Sequence, residues 1–543
     1  MKVALGQIRI ISNNPNKNYL EMEDTIKRAI KENADIIIFP ELCVSGAYVS
    51  KRNLNDNFIE DVLSYNDKIV ALSKDIDIIW GSYYKEELLY NAAYYAKNGA
   101  VVDYSLKSNL DKSRNEDQFF TPKSKSFSIE IEDIMYEVSL DNHKENTIYL
   151  CTNIYKHDES IPMKKNSILI SGVGIYNDGN SVFGLRGESY FNYHGLEASL
   201  NEVYESELLV LDTQSFIEYL NIPSDEILPY ILPILEMFDE EHLSYGPKWI
   251  VGVSGGLDSS VSLALLSLAI GEDRVHGVTM PGEFTRDITL SNAYHLSKKL
   301  GVSFQEIPIG KLVKETVNTL NEAAYDRVEG LTYENIQARL RGHTLMSVAS
   351  LINGVVCNNG NKVETGLGYA TMYGDAIGAL SVLGDLTKLE VGQLAREINE
   401  AYDEDVIPLN LIPKIESDRI AWDFAPSAEL SQDQFDPFKW GYHDNLLVYL
   451  LSNSPESVLE MYLDESIYNT NFGMYMRHLE LDNPHAFIED FEWFLRTIQL
   501  ATYKRLQTPP IVRVSKVGFE FENQSNIYKT KQYELLKEEI LKK

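Results

Sequence analysis

The sequence has 543 residues and a formal net charge of −32, from 49 basic and 81 acidic side chains. This charge argues against binding to nucleic acid or to an anionic membrane, because phosphate backbones and acidic headgroups require a basic surface. Hydrophobic content of 44% and charged content of 24% are ordinary for globular proteins, and the length predicts roughly three to four domains.

The cysteine content and the N-terminus indicate the compartment. Three cysteines are too few for a disulfide framework. We interpret Cys43 and Cys357 as buried apolar side chains. Met1 leads directly into a strand-like run at residues 3–8 rather than into a signal peptide. No apolar run approaches the roughly 18 residues of a membrane span. The sequence therefore predicts a cytoplasmic protein with no membrane segment.

The first 213 residues alternate strand-like apolar runs with an amphipathic stretch. We predict a helix over residues 18–32 and strands over residues 3–10, 35–39, 76–83 and 91–104, with a hairpin turn at 97–99. Glu41 follows the buried run 35–39, and α/β sheets hold their ligands at the carboxyl ends of such strands. Taken alone, a carboxylate at this place is more often a strand-end residue that caps a loop.

Three segments of this half resemble signatures of the carbon–nitrogen hydrolase (nitrilase) family, namely residues 39–46 (FPELCVSG), 107–110 (KSNL) and 147–151 (TIYLC). The resemblance implies that Cys151 is a nucleophile, Glu41 the base that takes its proton and Lys107 the group that stabilises the oxyanion. These three groups are chemically sufficient to attack an amide. The resemblance also suggests that Glu116 is the family's additional structural glutamate. The alternative for Cys151 is a small buried hydrophobe.

The segment after Cys151 departs from that family. The family usually continues with an acidic residue and then helix, strand, helix, strand. Here Thr152 and Asn153 follow, and only the segment 152–171 precedes Gly172. We therefore expect a nitrilase-like α-β-β-α sandwich shortened by about one helix and one strand, including a loop that commonly contacts the substrate amide. We predict that glutamine still serves as nitrogen donor, and the alternative is a degenerate amidase domain with ammonia as the only donor.

The chain is expected to divide near residue 213. We predict a nitrilase-like domain over 1–213, whose last strand lies at 207–213, and a linker over 214–246 with two proline-punctuated helical pieces. A second domain is expected over 247–520 and a C-terminal tail over 521–543. We find no internal repeat and no low-complexity tract.

A phosphate-binding loop opens the second domain. A short apolar strand (249–253), a glycine turn (254–256) and a helix (259–270) together direct backbone N–H groups and a helix dipole at an anion. The segment is neither a Walker A loop nor a dinucleotide fingerprint. It is similar to the pyrophosphatase loop of ATP-dependent amidating and adenylating enzymes. We predict ATP contacts from Gly252, Ser254, Gly255, Gly256, Leu257, Asp258, Ser259 and Ser260, with Asp258 also carrying Mg²⁺ to the phosphates.

Strand and helix patterns continue to alternate beyond this loop. Strands at 274–280 and 303–308 flank a helix at 290–300, which predicts a doubly wound parallel sheet with helices on both faces. Met280 ends the first of these strands, where an adenine pocket would lie. On a helix that includes residues 332–342, Asn335 and Arg339 share one face and Arg341 lies on another. Solvated surface groups are the alternative, but two arginines in an acidic domain, next to a polar Asn/Gln pair, favour contacts to phosphate or carboxylate.

Residues 355–375 closely resemble the NAD synthetase signature. Together with segments 385–388, 426–430 and 504–510, they point to the glutamine-dependent branch of that family. The resemblance implies that Asn359 binds ATP and that Glu364 shares Mg²⁺ with Asp258. It also implies deamido-NAD contacts from Asn335, Arg339, Glu364, Asp375 and Lys388. Residues 409–440 are rich in Pro, Asp and Ser and are expected to form a mobile lid.

The resemblance thus predicts an ATP- and Mg²⁺-dependent ligase that amidates deamido-NAD and commonly assembles as a homo-oligomer. Its partners would be deamido-NAD, ATP, and glutamine or ammonia. GMP synthetases and tRNA-modifying enzymes use a similar loop, but residues 360–375 disfavour GMP synthesis and the net charge of −32 disfavours tRNA. A nucleotide-binding module without catalysis is the non-enzymatic alternative.

Overall fold

The computed structural model describes residues 1–46, 55–112, 116–152, 162–200, 204–215, 226–323, 328–427, 429–431, 436–515, 517–519 and 529–543. The chain forms two compact units. Unit 1 comprises Met1–Asn177 and Phe183–Asp225, and unit 2 comprises Asp178–Val182 and Glu226–Lys543.

The elements of the N-terminal part are mostly strands. Its helices are α1 (Pro15–Lys31) and α2 (Asp56–Leu72), and its strands are β1 (Lys2–Gln7), β2 (Ile36–Ile38), β3 (Asp77–Lys85), β4 (Leu89–Lys97), β5 (Ala100–Leu106), β6 (Phe127–Ile131), β7 (Ile134–Ser139), β8 (Thr147–Cys151), β9 (Ser167–Ser171), β10 (Val173–Asn177), β11 (Ser181–Arg186), β12 (Tyr190–Tyr193), β13 (Leu196–Ser199) and β14 (Glu207–Asp212).

These strands build two six-stranded sheets, with the orders β14-β1-β2-β3-β4-β5 and β13-β12-β9-β8-β7-β6. Strands β1 and β2 are apolar on both sides because each side is covered. Val3, Leu5 and Ile36 face the second sheet, whereas Ala4 and Ile37 face the layer formed by α1 and α2. The predicted hairpin turn joins β4 to β5 through Asn98 and Gly99, both with positive φ.

The outer helical layer of an α-β-β-α sandwich is not seen on the second sheet. In the described residues of unit 1 the only α-helices are α1 and α2, and both pack with the first sheet. Ser128 and Glu130 on β6 and Met135 on β7 are correspondingly exposed. This agrees with the shortening inferred from the sequence after Cys151. Part of that segment, residues 153–161, lies outside the described residues.

The rest of the chain is richer in helices. Its helices are α3 (Leu228–His242), α4 (Leu257–Ile270), α5 (Asp287–Leu300), α6 (Gly310–Glu322), α7 (Leu331–Ile352), α8 (Lys362–Leu367), α9 (Lys388–Ala401), α10 (Tyr442–Leu450), α11 (Pro455–Leu463), α12 (Pro484–Leu500), α13 (Thr502–Arg505) and α14 (Lys531–Ile540), and its strands are β15 (Lys248–Gly252), β16 (Val275–Thr279), β17 (Ser303–Glu306), β18 (Gly354–Asn358), β19 (Leu380–Ser381), β20 (Lys414–Ile415), β21 (Ile420–Ala421) and β22 (Ile511–Arg513).

Unit 2 contains the doubly wound parallel sheet that the sequence predicts. The strands follow the order β17-β16-β15-β18-β19-β22, and the pairs are parallel. The order reverses beside β15, so the end of this strand is the usual crevice for a ligand. Of the two helical pieces predicted in the linker, the second is α3, which contains Pro233 and packs against α4 within unit 2. The first lies at residues 222–225, outside the described residues.

Candidate active sites

Unit 1 brings a lysine and two glutamates together at strand ends. Lys107 Nζ lies 2.7 Å from Glu41 Oε1 and 3.0 Å from Glu116 Oε2. The exposed fraction of each side chain is 6% or less. A buried ammonium tolerates such desolvation only when it is paired and hydrogen-bonded. The residues that the resemblance named as base, oxyanion partner and additional glutamate therefore form one charged cluster.

The backbone around Glu41 is tightly constrained. A Cβ on Gly81 of the adjacent strand β3 would lie 2.5 Å from Glu41 Cα, so only glycine permits this approach. The next residue, Leu42, is buried with φ +49°. A non-glycine residue in this left-handed region costs on the order of 1–3 kcal/mol. The fold therefore holds Leu42, the residue next to Glu41, in a conformation that the local sequence alone does not favour.

Cys151 is the last residue of β8 and is 1% exposed. It packs against Leu169 and Tyr190, and its Sγ lies 3.6 Å from the carbonyl oxygen of Ile170. The following residue, Thr152, donates its hydroxyl to Glu41 Oε2 at 3.0 Å. The strand end that carries the thiol is therefore bonded directly to the glutamate cluster.

Asn91 and Thr152 contact Glu41 but were not singled out as functional by the sequence analysis. Asn91 Nδ2 donates to Glu41 Oε1 at 2.7 Å. The only sequence signal for Asn91 is its position in a predicted strand, and Thr152 was noted only as a departure from the family. Asn153 lies outside the described residues. Cys43, interpreted as apolar, is completely buried, and burial raises the pKa of its thiol to about 12.

In unit 2 the phosphate loop joins β15 to α4. Gly255 has φ +83°, and a Cβ there would lie 1.9 Å from the carbonyl oxygen of Thr289. Ser254 Oγ lies 3.0 Å from Ser259 Oγ and accepts the N–H of Gly256 at 3.2 Å. No side chain caps the N-terminus of α4. The first-turn N–H groups are therefore available to an anion, and anion binding by this loop stays a prediction.

This loop faces a cavity of about 360 Å³. Among the residues predicted to bind ATP, deamido-NAD or Mg²⁺, those that line it are Gly252, Ser254, Gly256, Leu257, Asp258, Ser259, Met280, Asn359, Glu364, Asp375 and Lys388. Gly255, Ser260, Asn335 and Arg339 do not line it. The cavity volume is in the range of small-molecule sites.

Asn359 presents an unpaired acceptor at this wall. Its Nδ2 donates to the carbonyl oxygen of Gly252 at 2.9 Å. Its Oδ1 is buried and has no hydrogen-bond partner among the described residues. Buried polar atoms are nearly always paired, so this oxygen is available to accept a hydrogen bond from a ligand or from water.

Lys388 is the central cation of the cavity. Its Nζ lies 3.1 Å from Glu364 Oε1 and 3.2 Å from Asp436 Oδ2, and the side chain is 3% exposed. It also lies 5.0 Å from the ring centre of Trp440. Burial by itself lowers the pKa of Lys388, but the charges of Glu364, Asp436 and Asp258 raise it above its usual range. The ammonium is therefore held charged.

The carboxylates around Lys388 carry more charge than it neutralises. Burial raises the pKa of Glu364 to about 7; Lys388 opposes the rise, and Asp258 and Asp436 add to it. Asn361 Nδ2 donates to Asp258 Oδ1 at 3.0 Å. Three carboxylates thus share one ammonium.

This excess of negative charge fits the binding of Mg²⁺. In the described part of the chain, no cluster of three or more His, Cys, Asp or Glu side chains could hold a metal ion. Mg²⁺ usually takes only one or two carboxylates and completes its shell with water and phosphate. Asp258 and Glu364 have the donor chemistry and charge for that arrangement.

Some side chains of helix α7 line the cavity, and others lie outside it. Arg341 lines it, and its Nε donates to the carbonyl oxygen of Met280 at 3.2 Å. Burial lowers the pKa of Arg341. Arg339 is exposed and donates to the carbonyl oxygen of Met372, and Asn335 accepts the hydroxyl of Thr371. The sequence placed these arginines on different faces but did not indicate that Arg341 faces the cavity.

The predicted lid contributes much of the cavity wall. Trp422, Phe424, Asp436 and Trp440 line it, as does Glu429. Glu429 Oε1 accepts the Thr289 hydroxyl at 2.6 Å and Arg286 Nε at 2.5 Å, which holds the segment to the start of α5. Residues 428 and 432–435 lie outside the described residues. That the lid is mobile stays a prediction.

A buried ion network supports the segment that carries Asn361 and Glu364. Asp385 Oδ1 lies 3.3 Å from Lys362 Nζ and 3.4 Å from Arg513 Nε. Burial alone raises the pKa of Asp385, but Lys362 and Arg513 lower it below its usual range. The network therefore anchors the start of α8 to β22.

The chain matches two protein-family models and is similar to known proteins over most of its length. The NAD synthase family model matches residues 236–476, and the carbon-nitrogen hydrolase model matches residues 2–131. A relative from Acinetobacter baylyi, named "Glutamine-dependent NAD(+) synthetase", is 27% identical over 508 residues, covering 86% of this chain and 88% of that protein. Both family models thus match this chain, and over most of its length it is similar to glutamine-dependent NAD(+) synthetases.

Solved structures of family members have the same fold. A glutamine-dependent NAD(+) synthetase from Cytophaga hutchinsonii aligns with a TM-score of 0.75 at 16% identity and covers 99% of both chains. The enzyme from Acinetobacter baumannii, solved with adenosine diphosphate, aligns with a TM-score of 0.66 at 23% identity, covering 97% of this chain and 98% of that one. The predicted fold class is therefore confirmed. None of the helices in the described ranges has the length and hydropathy of a membrane span.

Proposed function

We propose that this protein amidates deamido-NAD to NAD, converts ATP to AMP and pyrophosphate, and takes nitrogen from glutamine or ammonia. The observation that carries the proposal is the cavity of unit 2. There an uncapped helix N-terminus, the Asp258 and Glu364 carboxylates and the buried Lys388 ammonium converge. The names of the relatives support the same reaction.

In the first step, a carboxylate oxygen of deamido-NAD bonds to the α-phosphorus of ATP, and the bond from that phosphorus to the bridging oxygen breaks. The N–H groups of residues 254–260 hold the departing pyrophosphate. Asp258 and Glu364 would hold Mg²⁺, which would neutralise phosphate charge when bound. Lys388 adds a fixed positive charge beside them. These residues act by positioning and by charge stabilisation.

In the second step, ammonia bonds to the acyl carbon of the adenylate, and the carbon–oxygen bond to AMP breaks. The nitrogen loses a proton to give the neutral amide. Residues 409–440 support this step because their aromatic side chains cover the cavity and would exclude water. Water would otherwise return the adenylate to deamido-NAD.

Unit 1 would supply the ammonia. The Cys151 sulfur bonds to the amide carbon of glutamine, Glu41 takes the thiol proton, and Lys107 donates to the oxyanion. The proton then passes to the leaving nitrogen, ammonia departs, and water hydrolyses the glutamyl thioester to glutamate. The charged cluster of Glu41, Lys107 and Glu116 beside the end of β8 supports this assignment.

Asn335 and Arg339 remain our proposed deamido-NAD contacts although they lie outside the cavity.

Helix α7 exposes three large apolar side chains, Leu331, Met346 and Leu351. At 3.6 residues per turn these three side chains do not share one face of the helix, and the expected homo-oligomer stays a prediction. A cytoplasmic location stays a prediction.

An ammonia-only synthetase is the second candidate. The carbon-nitrogen hydrolase match ends at residue 131, before Cys151. In addition, β9 begins at Ser167, soon after the cysteine. Both observations favour an amidase domain that has lost part of its substrate site. The two candidates share the chemistry of unit 2 and differ only in the nitrogen source.

One assay tests both candidates. The full chain is incubated with ATP, Mg²⁺, deamido-NAD and either glutamine or ammonium chloride, and NAD and AMP are quantified. We expect equal amounts of NAD and AMP with each donor. Asp258→Ala should abolish both reactions, Cys151→Ala should abolish only the glutamine reaction, and Asp273→Ala, an exposed control, should change neither.

The outcomes separate the candidates. NAD formation by Asp258→Ala with ammonium at the wild-type rate would contradict the proposed role of that carboxylate. Formation of ADP instead of AMP would contradict the adenylation chemistry. A wild-type protein active with ammonium but inactive with glutamine would be the ammonia-only synthetase.

A further inference from the structure

Both oxygen atoms of the Glu41 carboxylate accept hydrogen bonds from side chains. Oε1 accepts Asn91 Nδ2 and Lys107 Nζ, each at 2.7 Å, and Oε2 accepts the Thr152 hydroxyl at 3.0 Å. Glu41, Asn91 and Thr152 are each 1% exposed or less. Hydrogen bonds at opposite oxygens fix the rotation of a carboxylate as well as its place.

The three donors come from different parts of unit 1. Asn91 lies on β4 and Lys107 follows β5, so both belong to the first sheet. Thr152 follows β8 of the second sheet and is joined to Cys151 by a peptide bond. The Thr152 hydroxyl is therefore the contact that ties the carboxylate to the strand end carrying the thiol.

We propose that Thr152 is a positioning residue for amide hydrolysis: its hydroxyl orients Glu41 toward the neighbouring Cys151 and stabilises the ionised carboxylate. This inference rests on the glutaminase activity proposed above. The proton leaves Sγ of Cys151 for the Glu41 carboxylate as the sulfur–carbon bond forms, and later leaves with the departing ammonia. Thr152 itself neither gains nor loses a proton in this sequence.

Two consequences distinguish this role from simple packing. A hydrogen bond to an ionised carboxylate lowers its pKa, so its loss should raise the pH at which Glu41 becomes an effective base. A displaced base should also slow the chemical step more than it weakens glutamine binding, because small misplacements at reacting groups cost about a hundredfold in rate.

The test compares Thr152→Val, which keeps the shape and removes the hydroxyl, with Thr152→Ser, which keeps the hydroxyl. Thr147→Val is the matched control, because Thr147 is a buried threonine at the start of β8, the strand that precedes Thr152, and its hydroxyl donates to the carbonyl oxygen of Lys144 at 2.6 Å. Thr152→Ala gives the same comparison if the valine variant fails to fold.

Glutaminase kinetics in the full chain give the first readout. For Thr152→Val we expect kcat to fall by about 10- to 100-fold with little change in KM for glutamine. We expect the acidic limb of the pH profile to move up by about one unit. Thr152→Ser and Thr147→Val should stay near wild type. NAD synthesis with ammonium should be unchanged in every variant, since that chemistry belongs to unit 2.

The alkylation rate of Cys151 by iodoacetamide, followed by peptide mass spectrometry against pH, gives the second readout. Thr152→Val should react roughly tenfold more slowly at neutral pH, because less thiolate forms when the base is displaced. This readout needs no glutamine turnover. A wild type without glutaminase activity would therefore refute the proposed glutamine reaction but would leave the thiol comparison to decide the role of Thr152. Equal alkylation rates in Thr152→Val, Thr147→Val and wild type, or equal defects in the serine and valine variants, would overturn the inference.

Discussion

Replacing Glu364 with glutamine should stabilise unit 2 and abolish NAD synthesis. Glu364 is partly buried beside Asp258 and Asp436, and its pKa is raised from 4.5 to about 7. Between these two pH values the folded state binds more protons than the unfolded state, so stability falls as the pH rises through this window. Glutamine has nearly the same shape and carries no charge, so the variant avoids this loss.

The magnitude follows from the size of the shift. A change from 4.5 to about 7 corresponds to an upper limit of about 3.4 kcal/mol at 1.36 kcal/mol per pKa unit. The Glu364 side chain is 23% exposed, and contact with water reduces the penalty, so we expect a gain of about 2 kcal/mol. The gain should be full above pH 7 and small near pH 5.

Urea unfolding followed by pulse proteolysis, with peptides of unit 2 quantified by mass spectrometry, would measure this gain at both pH values. Glu400→Gln, which changes an exposed glutamate near the end of α9, controls for the substitution itself. The reasoning is refuted if Glu364→Gln shows the same pH dependence of stability as wild type, or if it is the less stable protein at pH 8. Retained synthesis would refute the proposed Mg²⁺ role.

Three further substitutions test other parts of the structure. Gly255→Ala should abolish synthesis with both nitrogen donors, because its Cβ would lie 1.9 Å from the carbonyl oxygen of Thr289; NAD formation measures this. Gly81→Ala should abolish glutamine-dependent synthesis and spare the ammonium reaction, since its Cβ would lie 2.5 Å from Glu41 Cα. Asp385→Asn should lower the stability of unit 2 by about 3–5 kcal/mol in urea unfolding, because two buried cations lose their common carboxylate. Wild-type behaviour in any of these assays would contradict the corresponding contact.

Local sequence patterns place the phosphate loop well. The predicted strand at 249–253 and helix at 259–270 correspond to β15 (Lys248–Gly252) and α4 (Leu257–Ile270). The glycines between them set the turn, because Gly255 needs both a positive φ and the space that a side chain would fill. The positive φ is a local constraint that the sequence alone indicates, whereas the close approach of Thr289 to Gly255 is a contact between distant segments.

Contacts made across long stretches of chain are not visible in the sequence. Asp436 pairs with Lys388, and Arg341 reaches the cavity wall beside Met280. From the sequence, Asp436 was only part of the predicted lid, and Arg341 was interpreted as a phosphate or carboxylate contact without a place in the site. Both depend on how distant segments pack in three dimensions. The same holds for Asn91, whose contact with Glu41 joins a strand interior to the end of another strand. Helical spacing indicated the face of Arg341 but not what that face meets.

Tryptophans in the wall of the cavity allow ligand binding to be followed by intrinsic fluorescence. Of the five tryptophans in the chain, Trp422 and Trp440 line the cavity, with ring centres 5.4 Å apart and planes at 87°. Indole emission responds to nearby charge and to water, and Trp440 lies beside the Lys388 ammonium. Nucleotide binding should therefore change the intrinsic fluorescence, and ligand affinities could be measured by titration without a label or a coupled enzyme.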